Sequence, residues 1–155
     1  METPEFTRIL SRLQKQCSKA EYCSADVFRK ALKAFEGDRE GAARVLSELV
    51  QDRYVDDSRY ASAFAREKAS IQGWGPVKIR FQLRAKGISE EAITAAIAEI
   101  EPQKADDKLE RLLQTKSRSL EGDPQKRLKL IKFGLSRGYE YDAVEAALAK
   151  LSSKR

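Results

Sequence analysis

An all-α fold of three tandem three-helix repeats, stacked as an elongated, curved helical array, is what this chain predicts. Three observations carry that reading. Apolar residues recur at helical spacing along the whole 155 residues, and no run of alternating β-branched residues marks a strand. Caps and breakers punctuate that spacing at short intervals. The chain also matches itself at a fixed offset, the mark of a repeat architecture.

The first helix is expected over residues 5 to 20, with Phe6, Ile9, Leu10 and Leu13 on one side. The second follows Ser24 as N-cap and buries Val27, Phe28, Ala31, Leu32 and Phe35 before Gly37 stops it. The third spans residues 39 to 52, with Ala42, Val45, Leu46 and Leu49 inward. The fourth opens at YVDDSRYA. Asp56 is its cap, Val55 and Tyr60 sit at the staple positions, and Asp57 in the first turn suits the helix dipole. It runs to about Ser70, where IQGWG breaks it.

Pro76 fits the first position of the fifth helix, where its missing N–H would have no partner. Ile79 and Leu83 share one face, and Gly87 ends the helix in the left-handed conformation. Ser89 caps the sixth, with Ile88 and Ile93 as a staple and Ile93, Ile97 and Ile100 as its stripe. Pro102 opens the seventh, which carries Leu109, Leu112 and Leu113. In EGDP, Asp123 is the expected cap and Pro124 the first residue of the eighth, which ends at Gly138. The ninth runs from about Tyr141 to Leu151, leaving SSKR as a frayed tail.

The fifth and sixth helices define the repeat. Moving them forward 51 residues places Gly87 on Gly138, Ile88 on Tyr139, Ile93 on Val144, Ile97 on Leu148 and Ile100 on Leu151 without a gap. Moving them back places Ile93, Ile97 and Ile100 on Ala42, Leu46 and Leu49, with Gly37 one residue out of register. Three units follow, 1–52, 53–100 and 101–155, the first the most degraded. Repeats of this length stack as helical modules.

Composition narrows the function. Thirty Lys and Arg oppose 24 Asp and Glu, a net +6 that favours an anionic partner. There is no histidine, so Ser–His–Asp and Cys–His chemistry is excluded. Neither GxxxxGK[ST] nor GxGxxG occurs. Cys17 and Cys23 lack a CxxC or histidine partner, which argues against zinc and for two reduced thiols. No cofactor or metal is expected. No apolar stretch reaches membrane-spanning length, so a monomeric cytoplasmic protein is the expectation.

The cations are clustered. Arg66, Lys68, Lys78, Arg80, Arg84 and Lys86 oppose a single acid, Glu67. Lys126, Arg127, Lys129, Lys132 and Arg137 oppose none between Pro124 and Arg137. Both groups fall mainly on a repeat's middle helix, whereas the last helices carry Glu90, Glu91, Glu99, Glu140, Asp142 and Glu145. This segregation reads as a basic stripe that tracks phosphates or meets an acidic protein surface. Lys78 and Arg80 lie about 200° apart on a helix, so they do not share one face, while Arg84 follows Arg80 at i+4. Trp74, the only tryptophan, is either an anchor between repeats or a contact residue for a partner or base. Tyr60 and Phe64 are expected in the core.

With these residues placed, the chain resembles the RecX family, regulators of the bacterial RecA recombinase. The resemblance rests on YVDDSRYASAF (54–64), GWGPVKIRFQLRAKGIS (73–89) and FGLSRGYEYDAV (133–144), with FRKALKAF (28–35) as a weaker echo. It spans nearly the whole length and is weakest in the first repeat. It implies tandem three-helix repeats that bind RecA and lodge in the groove of the RecA–DNA filament. It also implies restraint of recombinase, ATPase and coprotease activities, with no chemistry performed by the regulator itself. On this reading the basic middle helices face the groove and its single- or double-stranded DNA. A helical DNA-binding protein acting without RecA is the alternative that the glycine turn and basic charge leave open.

Overall fold

The computed structural model describes residues 3–153 and contains, among them, nine helices and no strand. They are α1 (Pro4–Lys19), α2 (Ser24–Ala34), α3 (Arg39–Gln51), α4 (Asp57–Ser70), α5 (Pro76–Ala85), α6 (Glu90–Ala98), α7 (Pro102–Arg118), α8 (Lys126–Ser136) and α9 (Tyr141–Ser153). Ser152 and Ser153, expected in a frayed tail, complete α9, while Lys154 and Arg155 lie outside the described residues.

Of the four expected N-caps, two form as their chemistry dictates. Asp56 accepts from the Arg59 N–H at 3.1 Å and Ser89 from the Ala92 N–H at 3.2 Å. Two differ. Asp123 accepts from the Gln125 N–H at 2.8 Å, but the Lys126 N–H bonds to the Asp123 carbonyl in a turn. That turn delays α8 to Lys126, two residues beyond Pro124. Ser24 is not a cap but the first residue of α2, preceded by Cys23. Its N–H and hydroxyl both donate to the Asp57 carboxylate, each at 2.7 Å. Asp57 therefore caps a helix of the neighbouring repeat, as well as standing in the first turn of its own.

Packing sorts the helices in threes: every extensive helix–helix contact lies within α1–α3, α4–α6 or α7–α9. Phe6, Ile9, Leu13, Val27, Val45 and Leu49 build the first core, Ile79, Leu83 and Ile93 the second, and Leu109, Leu113 and Val144 the third. Ile88 and Ile93 share the second core, and Tyr139 and Val144 the third, as staples at equivalent positions. Val55 and Tyr60 do not act as a staple pair: Val55 is buried in the first core, while Tyr60 packs against the second, stacked on Phe64 at 5.9 Å. Conversely, Cys23 and Ala25 pack with the second core. Each side of the first boundary thus lends side chains to the other.

The repeats meet end to end through their middle helices. The end of α5 reaches the start of α2, where Lys86 Nζ lies 3.0 Å from Asp26 Oδ2. Arg59 strengthens this joint, pairing with Glu21 at 2.6 Å and donating to the Arg53 carbonyl at 3.2 Å. The end of α8 reaches the start of α5 chiefly through the backbone. The Gly75 N–H donates to the Arg137 carbonyl at 2.8 Å, and the Val77 N–H to the Gly138 carbonyl at 2.9 Å. The Tyr139 hydroxyl adds a bond to the Gly73 carbonyl at 3.2 Å.

That approach requires glycine on both sides. A Cβ on Gly75 would lie 2.6 Å from the Tyr139 nitrogen, and one on Gly138 would lie 2.8 Å from the Lys78 nitrogen. Gly138 also has φ +96°, a left-handed conformation that side chains disfavour. Gly37, with φ +94°, has nothing within 4 Å of such a Cβ.

This pair gives a controlled test. Gly37→Ala is expected to cost about 1–2 kcal/mol, the left-handed penalty alone. Gly138→Ala adds backbone overlap and is expected to cost about 1–3 kcal/mol more in urea unfolding; equal costs would contradict the joint. Asp57→Ala is expected to cost about 1–2 kcal/mol. Combined with Ser24→Ala in a double-mutant cycle, it should show coupling above about 0.5 kcal/mol; additive losses would contradict the shared cap.

Candidate partner and nucleic-acid interface

Trp74 lies in the turn between α4 and α5, half-buried against the second core and edge-on to Phe64 at 6.0 Å. It anchors its own repeat. Lys68 from α4 and Lys78 from α5 place their ammonium groups 5.1 and 4.6 Å from its ring centre. Three expected site residues therefore converge on one half-exposed cluster, each cation–π contact being worth about 0.5–1 kcal/mol at an exposed position.

Most of the remaining cations are held by acids. Arg80 NH1 lies 2.9 Å from Glu90 Oε2, and Arg84 binds the other oxygen of the same carboxylate. Hydrogen bonding from Arg84, with Arg80 adding its charge, holds the Glu90 carboxyl below the usual range. In the third repeat one guanidinium nitrogen of Arg127 reaches both carboxylate oxygens of Glu145, at 2.7 and 2.9 Å. Glu145 is also held down, by the Tyr141 hydroxyl first and Arg127 next. Lys126 pairs with Glu121 at 3.3 Å and Lys129 with Asp123 at 2.6 Å; Lys129 lowers the Asp123 carboxyl. Lys86 bridges to Asp26, and Arg137 donates to the Gln72 carbonyl across the α8–α5 joint. Only Arg66 and Lys132 of the expected set are exposed and free of such contacts among the described residues.

The separation of sign between middle and last helices is thus in large part pairing within a repeat. Glu90 and Glu145 are the counter-charges of the basic helices beside them. These pairs are solvent-exposed, so water and salt screen them and they contribute little to stability. They do reduce the free positive charge that a partner would meet.

The fold presents two further surfaces. Val77, Phe81 and Arg84, at i, i+4 and i+7, form an outward stripe on α5, with Phe81 68% exposed. Fifty-one residues on, Leu128, Lys132 and Leu135 form the same stripe on α8, all exposed. Ile71, 71% exposed, stands at the end of α4. Val77 and Leu128 are apolar at equivalent positions, Phe81 stands at the position of Lys132 and Leu135 at that of Arg84, so each stripe is two apolar side chains and one cation. Composition gave no signal for these stripes; exposure, which the fold reveals, does. The second surface is on α1, where Arg8, Arg12, Lys15 and Lys19 are exposed. Among the described residues no group of His, Cys, Asp and Glu is arranged to hold a metal, and no helix is long and apolar enough to cross a membrane.

Comparison with known proteins fits this architecture. The family model for the second three-helix domain of RecX matches residues 56–97, the span of α4 to α6. Regulatory protein RecX of Bacillus cytotoxicus is 30% identical over 115 residues, covering 73% of this chain and 43% of that protein. The same protein of Bacillus mycoides is 29% identical over the same shares. The chain thus spans less than half the length of these curated relatives. Among solved structures, RecX from Lactobacillus salivarius superposes with a TM-score of 0.86 over 96% of this chain and 97% of that one, at 18% identity. A second crystal structure, of regulatory protein RecX, gives 0.85 over 94% and 72% at 23% identity. Those two likenesses establish the fold; with the family model seated on the second repeat and the relatives' sequence identity, the chain belongs to the RecX family of regulatory proteins.

Proposed function

We propose that this chain is a non-enzymatic regulator of RecA. It binds the recombinase and its filament on DNA and holds back recombinase, ATPase and coprotease activities, and so modulates DNA repair and recombination. The observation that carries this reading is the duplicated outward stripe, Val77–Phe81–Arg84 on α5 and Leu128–Lys132–Leu135 on α8. Apolar side chains flanked by a cation are the composition of a protein-binding patch rather than of a phosphate-tracking one.

Duplication matters as much as composition. Two equivalent stripes, set at a fixed offset by the Gly75–Gly138 joint, suit a partner that is itself a repeating polymer. Engagement of two neighbouring subunits makes the second contact intramolecular and multiplies weak affinities. Trp74, with Lys68 and Lys78 over its ring, borders the α5 stripe and would extend it.

RecA-catalysed, DNA-dependent ATP hydrolysis is the direct assay. Inhibition is expected at amounts of this protein near or below those of RecA. Phe81→Asp together with Leu135→Asp should weaken inhibition by about tenfold or more, as removal of central apolar anchors does, with helical content unchanged. Absence of inhibition by the parent protein would overturn the proposal; undiminished inhibition by the double variant would overturn the assigned surface.

A further inference from the structure

We propose that the outer face of α1 is a binding site for a nucleic-acid phosphate backbone, separate from the stripes on α5 and α8. Arg8, Arg12, Lys15 and Lys19 recur at i, i+4, i+7 and i+11. At 3.6 residues per turn these four fall within about 60° of arc, and at 1.5 Å per residue they extend along about 16 Å of helix. All four are exposed, and none forms an ion pair among the described residues. Phe6, Ile9 and Leu13 on the opposite side are buried in the first core, so the fold fixes which way the cations point.

The rest of the molecule sharpens the contrast. Arg80, Arg84, Lys126, Arg127 and Lys129 are each held by a carboxylate. On α7, Lys104 pairs with Glu101, and Asp106, Asp107 and Glu110 are interleaved with Lys108 and Arg111. α1 carries one acid, Glu5, one turn ahead of the row. Its positive charge is therefore uncompensated where that of the middle helices is not.

The chemistry of the face selects the partner. No large apolar side chain of α1 is exposed, so it lacks the anchors around which protein interfaces form. A line of point charges of one sign, each about a helical turn from the next, needs only a line of opposite charges. A phosphodiester backbone supplies that, and releases its condensed counterions on binding. Contact of this kind positions a strand without reading its sequence.

The test measures binding of a fluorescent oligonucleotide, as single strand and as duplex, by anisotropy over a range of salt and without RecA. The ladder variant combines Arg8→Gln, Arg12→Gln, Lys15→Gln and Lys19→Gln. A charge-matched control combines Lys104→Gln, Lys126→Gln, Arg127→Gln and Lys129→Gln, all at ion-paired positions. The ladder variant should bind at least about tenfold more weakly at low salt and lose about three from the slope of log affinity against log salt. The control should keep most of both, and both should retain the parent's helical content. An unchanged slope in the ladder variant, an equal loss in the control, or competition by polyglutamate as effective as that by unlabelled oligonucleotide would each overturn the assignment. Failure here leaves inhibition of RecA untouched, because that assay depends on the other surface.

Discussion

Backbone meets backbone where the end of α8 reaches the start of α5. The Gly75 and Val77 amides, which at a helix start have no partner in their own helix, bond to carbonyls left open at the end of another. This joint thus satisfies orphan groups of two helices at once. It does so only because two glycines allow the chains to touch. Each repeat encloses a small core, and a unit of about 50 residues buries too little surface to be robust alone. The joints let three marginal units share their termini and hold a fixed relation.

The two joints solve the same problem with different chemistry. Between the second and third repeats, main-chain bonds and the Tyr139 hydroxyl make the contact. Between the first and second, side chains do so: Asp57 reaches the Ser24 N–H and hydroxyl, Lys86 reaches Asp26, and Arg59 reaches Glu21. Cys23 is buried in the second core although it precedes α2. A side-chain joint tolerates sequence drift better than a glycine contact, which accords with a first repeat whose match to the others is the weakest.

Helix number, order and most ends were legible in the chain because caps, glycines and apolar spacing act locally. Ser89, Pro76, Gly87 and Gly138 perform the parts that their chemistry requires. What was not legible depended on partners distant in sequence. Ser24 has the chemistry of a cap, yet its hydroxyl is taken by Asp57, 33 residues away. Arg80 and Arg84 look like free charge until α6 returns and sets Glu90 between them. The outward stripes were hidden for another reason: Val77, Phe81, Leu128 and Leu135 have the composition of core residues, and only the fold shows them exposed. The α1 row was readable from spacing alone, but lay outside the strongest clusters. The result is a molecule with two kinds of surface on one frame, mixed apolar and cationic on the middle helices and purely cationic on the first.

That frame is the claim on which the rest stands: surfaces on different repeats act together only if the joints hold them in place. Amide hydrogen exchange of the free protein at Gly75 and Val77 tests this most directly, because both amides lie at a helix start that would otherwise face solvent. Slow exchange at these two positions, comparable with that of Ile79 and Leu83 in the core of α5, is the result expected. Exchange as fast as that of an open loop, with α5 itself protected, would show that the repeats swing independently and would contradict the account.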